Sequence, residues 1–172
     1  SPEADDATPE GTSTDDTDTM TDDTDKRLTD VETTVHQLGR GLDRSWDREQ
    51  RPGICTLFRD AGEAETFVED ADEETQSFVA DTDFEASTLL YVESVGPTGC
   101  YDEIEFSELG LDDEAVLRGN AAARDTSDQT TACQQVISYP GALVRVEAKV
   151  RRAELRVFDG WGQSALVRSD ED

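Results

Sequence analysis

The chain has 172 residues, enough for one domain with a substantial core and a tail. Forty-two acidic residues against fifteen basic ones leave a formal charge of −27, which excludes a duplex-binding surface because phosphate contacts need clustered Lys and Arg. No apolar run approaches the roughly eighteen residues of a membrane helix; the longest candidate, Ser87–Val95, is strand-sized and broken by polar residues.

Residues Ser1–Asp25 hold ten acids, seven threonines, two prolines and no base, with only Ala4, Ala7 and Met20 as apolar residues. Such a segment cannot offset the entropy of ordering, so residues 1–29 are predicted to be a disordered, Thr/Asp-rich acidic tether. A secretory or lipoprotein signal removed ahead of Ser1 would account for it. The lipid-bearing cysteine would then lie just before Ser1, as the one expected route to a membrane. The expected location is extracytoplasmic, at the cell surface or secreted. Residues 26–172 still carry −17, and only Lys26 and Lys149 among the fifteen bases are lysines. An acidic, lysine-poor surface suits concentrated salt, where a Debye length of roughly 3 Å screens carboxylate repulsion. A halophilic protein is expected.

Residues 30–172 read as a single β-rich globular domain. Val31, Thr33 and Val35 alternate, and the Arg51-Pro52-Gly53 turn leads into the apolar run Ile54–Phe58. Ala61–Ala80 then reads as helix, with Ala64, Phe67 and Val68 on one face and Phe78 and Val79 further along; the acids of Asp70–Glu74 divide it. Strands are predicted at Thr88–Val95, Asp102–Leu109, Glu114–Ala121, Ala132–Tyr139, Ala142–Val150, Ala153–Phe158 and Ser164–Val167. Gly96-Pro97, Gly110, Pro140-Gly141 and Asp159-Gly160 mark the turns. In Ala142–Val150, Val144, Val146, Ala148 and Val150 alternate with Arg145, Glu147 and Lys149, the signature of a half-buried antiparallel strand. The expected fold is mainly β: a small antiparallel β-sandwich or open barrel with one helical insertion at about 61–80.

Three cysteines occur, Cys55, Cys100 and Cys133. In an exported domain Cys100 and Cys133 form the natural pair, each near a predicted strand, while Cys55 inside an apolar run reads as a buried thiol. Spacing alone leaves Cys55–Cys100 and Cys55–Cys133 open. With no CxxC and a single histidine, no metal site is expected. A Cys–His nucleophile would have to be Cys55 with His36, and there is no GxSxG elbow. Asp81-Thr82-Asp83 resembles the start of an EF-hand loop, but the required glycine and terminal glutamate are missing. No phosphate-cradling glycine loop or cofactor motif is present, so no catalytic residue and no cofactor is assigned. Trp161, between Gly160 and Gly162, suits the role of covering the end of a sheet, with ligand contact as the alternative.

The order Arg40-Gly41-Leu42, Ile54–Asp60, a helix, Thr82-Asp83-Phe84, Leu89–Val95 and Gly96-Pro97-Thr98-Gly99-Cys100-Tyr101, followed by Tyr139-Pro140 and Leu143–Val146, carries a family resemblance. Over about residues 40–147 it resembles the small β-domain of protease-complex accessory subunits of the dentilisin-complex B-subunit type. That family has a "DF" before a hydrophobic strand, a "TGGY" turn after it and a "YP" ahead of a late strand. Here Cys100 stands at the second glycine, which fits a disulfide added to the same turn. The chain is also similar to haloarchaeal envelope lipoproteins of unassigned function. The resemblance implies a non-catalytic β-domain that binds or stabilises another secreted or envelope protein, such as a protease. No catalytic residue carries over, and Ala153–Val167 lies outside the match. The expected partner surface is the Gly96–Tyr101 turn, with Thr98 and Tyr101, together with the exposed aromatics Tyr139 and Trp161. The competing reading is a carboxylate-based enzyme or a solute- or ion-binding protein; it requires a deep pocket with convergent acids or carboxylates of raised pKa.

Overall fold

The run at Thr88–Val95 becomes the most deeply buried strand of the domain. In the computed structural model, which describes residues 30–42, 46, 50–128, 130 and 132–169, every residue of Thr88–Ser94 is buried. The tether predicted over residues 1–29 lies outside the described residues.

The strands are β1 (Thr33–Gln37), β2 (Gly53–Phe58), β3 (Thr88–Ser94), β4 (Tyr101–Leu111), β5 (Val116–Asp125), β6 (Gly141–Val146), β7 (Arg152–Phe158) and β8 (Ser164–Arg168). Helices α1 (Ala61–Phe67) and α2 (Glu73–Ala80) lie between β2 and β3. Two four-stranded sheets form, in the orders β1-β6-β3-β2 and β4-β5-β7-β8, and they do not close into a barrel. The domain is therefore a mainly-β sandwich. Every pair is antiparallel except β5 with β7, which run parallel because β6 crosses to the other sheet between them.

The core follows from the two-residue period of the strands. Leu57, Leu90 and Val144 are opposite one another across the first sheet and face the second. Ile104, Leu117, Ala121, Leu155 and Val157 meet them from the second sheet. Burying each large aliphatic side chain is worth about 2 kcal/mol. At the β1 edge Gln37 ties the sheets together: its Nε2 donates to the Ile104 carbonyl (2.7 Å) and its Oε1 accepts from the Ile104 N–H (3.0 Å).

The first sheet is covered on its other face as well. Ile54, Phe58, Leu89, Tyr91 and Leu143 pack under Ala64 of α1, Val68 at its C-terminal end, and Val79 of α2. This explains why β3 reads as a continuous apolar run. It also corrects the half-buried reading of the segment beginning at Ala142: the strand ends at Val146, and Leu143 on its supposedly polar face is fully buried. Arg145, on that same face, lies over the Phe78 ring (4.3 Å) and donates to the Phe78 carbonyl (2.9 Å). The helical insertion divides where its acids predict. Asp60 and Asp72 cap α1 and α2, accepting from the Glu63 N–H (3.3 Å) and the Thr75 N–H (2.9 Å).

One predicted strand does not form. Ala132–Tyr139 is a loop whose sole ladder contact is a bridge between Ser138 and Gly96. Val136, Ile137 and Tyr139 have β-propensity, but no neighbouring strand lies alongside, so Val136 and Ile137 remain 53% and 39% exposed.

Candidate functional site

A cleft of about 740 Å³ opens at the end of the sandwich where three loops converge. The first loop, Gly39–Gly41 with Trp46, follows β1. The second, Gly99–Asp102, enters β4. The third, Gln134–Tyr139, leads towards β6.

The third loop is held from several sides. Cys100 and Cys133 form a disulfide, with Cα atoms 5.4 Å apart. The Gly99 N–H donates to the Gln134 carbonyl (2.9 Å), and Ser138 Oγ lies 2.7 and 2.8 Å from the carbonyl oxygens of Thr98 and Tyr101. The Ser138 and Gly96 backbones exchange both of their hydrogen bonds. On the far side, the Gly41 N–H donates to the Tyr139 carbonyl (2.6 Å), joining the first loop to the third.

Under the first loop is a buried carboxylate. Glu93 sits on the helix-facing side of β3 and is fully buried. It accepts from Trp46 Nε1–H (2.7 Å) and is bonded to the Tyr91 hydroxyl, which in turn accepts from the Leu42 N–H (2.6 Å). Glycine at residue 41 makes room for this arrangement, since a Cβ there would overlap the Glu93 side chain. Trp46 thereby meets Tyr139 edge-on, with ring centroids 5.7 Å apart. Glycine is needed at residue 160 as well: a Cβ would come within 2.6 Å of Pro97 and 2.9 Å of the Tyr101 ring.

Tyr101 and Tyr139, expected at a partner surface, both line the cleft. Thr98 lies behind it, its carbonyl taken up by Ser138 and its Oγ1 accepting from the Cys100 N–H (3.3 Å). Trp161 is on the adjoining Asp159–Gly162 turn, 47% exposed, with its N–H on Asp159 Oδ1 (2.9 Å). The Tyr101 hydroxyl donates to the Gly160 carbonyl (3.3 Å), which links that turn to the cleft wall without placing Trp161 inside it. Sequence reasoning missed Arg40, Trp46, Asp102, Gln134, Val136 and Ile137. No local pattern in the sequence marks them, since the exclusion of Val136 and Ile137 from any sheet arises only in the fold.

The sandwich separates the residues considered for nucleophilic chemistry. His36 is on the helix side of the first sheet, its Nε2 2.9 Å from Thr75 Oγ1 and its ring stacked on Phe78. Cys55 faces the sandwich core as a buried thiol outside the disulfide. Among the described residues, one cluster of His, Cys, Asp or Glu groups is close enough to hold a metal: Cys100, Cys133 and Asp125. Two of its three sulfur or oxygen atoms are committed to the disulfide.

The polar network with the clearest electrostatics lies elsewhere, on the open face of the second sheet. Arg118 bridges Asp112 and Glu154 at 2.9 Å each, while Arg152 and Arg168 also reach Glu154. Burial alone would raise the Asp112 pKa. The Arg118 bond and the backbone N–H groups of Val116 and Glu114 outweigh it and hold the carboxyl at about 2. Glu154 is likewise lowered: burial opposes ionisation, but Arg152, Arg118 and Arg168 prevail. These groups anchor the sheet and are not part of the cleft.

No protein-family model, curated protein or solved structure matches the chain. The disulfide is compatible with an oxidising, extracytoplasmic compartment. Among the described residues no helix is long and apolar enough to cross a membrane.

Proposed function

We propose that the chain is a non-catalytic, extracytoplasmic binding domain of a halophilic envelope protein, and that it stabilises a secreted protease or another envelope partner by holding it in the cleft. The observation carrying this reading is the lining: Trp46, Tyr101 and Tyr139 with the exposed Val136 and Ile137, on a loop fixed by a disulfide. Rigid aromatics and uncovered aliphatics on a preorganised wall are the features of protein-binding hot spots. Asp102 is the single carboxylate among the described lining residues, whereas the carboxylate-enzyme alternative calls for two acids converging there. The acidic, lysine-poor composition supports the saline setting.

The test uses the oxidised chain and a Tyr139→Ala/Ile137→Ser variant as baits for a native envelope extract in molar salt. The expected result is one stoichiometric secreted or envelope protein retained by the wild type and lost from the variant, with the disulfide and circular dichroism unchanged. Equal retention by both baits, or turnover of a substrate by the isolated chain, contradicts the proposal.

A further inference from the structure

The polar groups lining the cleft divide by whether the domain itself satisfies them. Trp46 Nε1–H is spent on Glu93, the Tyr101 hydroxyl on Gly160, and the Asp102 carboxylate accepts the Thr126 hydroxyl at 2.7 Å. The Arg40 guanidinium and the Tyr139 hydroxyl make no hydrogen bond or ion pair among the described residues. Every other described arginine has a hydrogen-bond, ion-pair or other interaction partner, which sets Arg40 apart. Arg40 follows Gly39, whose φ of +75° turns the chain after β1 and sets the next residue at the cleft rim. Its neighbours across the lining include Val136 and Ile137, apolar residues that no element of the domain covers.

A planar guanidinium matches a carboxylate with two parallel N–H···O bonds, and a phenol adds a third donor. We infer that the cleft takes an extended segment of the partner protein in which an Asp or Glu adjoins a bulky apolar residue. The carboxylate is held by Arg40 and the Tyr139 hydroxyl, and the apolar side chain rests on Val136 and Ile137. Arg40 thus sets specificity, while the aliphatic pair and the aromatics provide the contact area. This inference rests on the cleft being the partner-binding site and adds the chemistry of the segment it receives.

The test is selection of a displayed library of random linear peptides on the full oxidised chain, repeated on Arg40→Glu, Arg40→Gln and Ile137→Asp. Arg40 is exposed, so its replacement leaves the fold intact. Enriched peptides are expected to share an acidic residue beside an apolar one. Synthetic versions with Asn or Gln at the acidic position should bind about tenfold more weakly or worse. Arg40→Gln should abolish the acidic preference, and Arg40→Glu should turn it towards Lys or Arg. Peptides that depend on Ile137 yet show no acidic preference, or bind Arg40→Glu equally well, overturn the carboxylate assignment while the cleft remains a binding site. No enrichment, or enrichment indifferent to Ile137→Asp, overturns the cleft reading and this inference together.

Discussion

Replacing Cys100 and Cys133 together by Ala opens a loop that spans 33 positions of sequence and contains the β4–β5 hairpin. On the chain-entropy model, a closed loop of that length removes about 4 kcal/mol of conformational freedom from the unfolded chain. The variant should be less stable by that amount in urea unfolding, with a steeper dependence on denaturant because its unfolded state is more expanded. Wild-type protein unfolded under reducing conditions should give the same curve as the variant. The native state should persist, since the Gly99–Gln134 and Gly96–Ser138 backbone bonds still hold the third loop. Cleft binding should nevertheless weaken, because the wall carrying Val136 and Ile137 loses its covalent anchor. A loss below about 1 kcal/mol would show that closing this loop constrains the unfolded chain far less than its length implies.

Asp112 and Glu154 have folded pKa values below their unfolded ones, so their contribution is present above about pH 4 and is lost as pH falls through the folded values, about 2 for Asp112. Asp112→Asn should therefore cost about 2 kcal/mol near neutral pH, with the gap to wild type narrowing in acid; a pH-independent gap would count against the Arg118 pairing. Glu93→Leu leaves the Trp46 N–H without its acceptor and should destabilise the domain by about 2–3 kcal/mol. Its tryptophan emission should shift to the red as Trp46 loosens, and unchanged emission and stability would show that Glu93 does not secure the first loop. With a formal charge of −27, the melting temperature should climb steadily between about 0.1 and about 3 M KCl; a flat profile would defeat the halophilic reading.

Much of the architecture is legible because local pattern and tertiary role coincide. Alternation marks β1, and the acids at Asp70–Glu74 divide the helical insertion where the structure does. Other features depend on partners distant in sequence. β6 alternates cleanly, yet α2 and Phe78 bury its second face, which only the folded order of layers reveals. Ala132–Tyr139 carries a strand's composition, but the disulfide and the Ser138 side-chain bonds fix it as a loop whose pairing stops at one bridge to Gly96. The cleft is harder still to foresee. Its walls come from three separate loops, and Glu93 beneath one of them is a single acid among forty-two. Tyr101 and Tyr139 were accessible as aromatics beside turns; Trp46 and Arg40 were not, since a bond between Gly41 and Tyr139 brings their loop to the site.

Site-specific photo-crosslinking reads out whether the loop ends of the sandwich bind a protein. A benzophenone side chain would replace Ile137 in the cleft and, as a control, Glu105 on the open face of the second sheet, and both proteins would be irradiated in native envelope extract. A single discrete adduct from position 137, absent from position 105 and suppressed by a peptide selected on the cleft, is the result predicted here. Equal adduct patterns from both positions, or none from position 137 in a folded, oxidised sample, would contradict it.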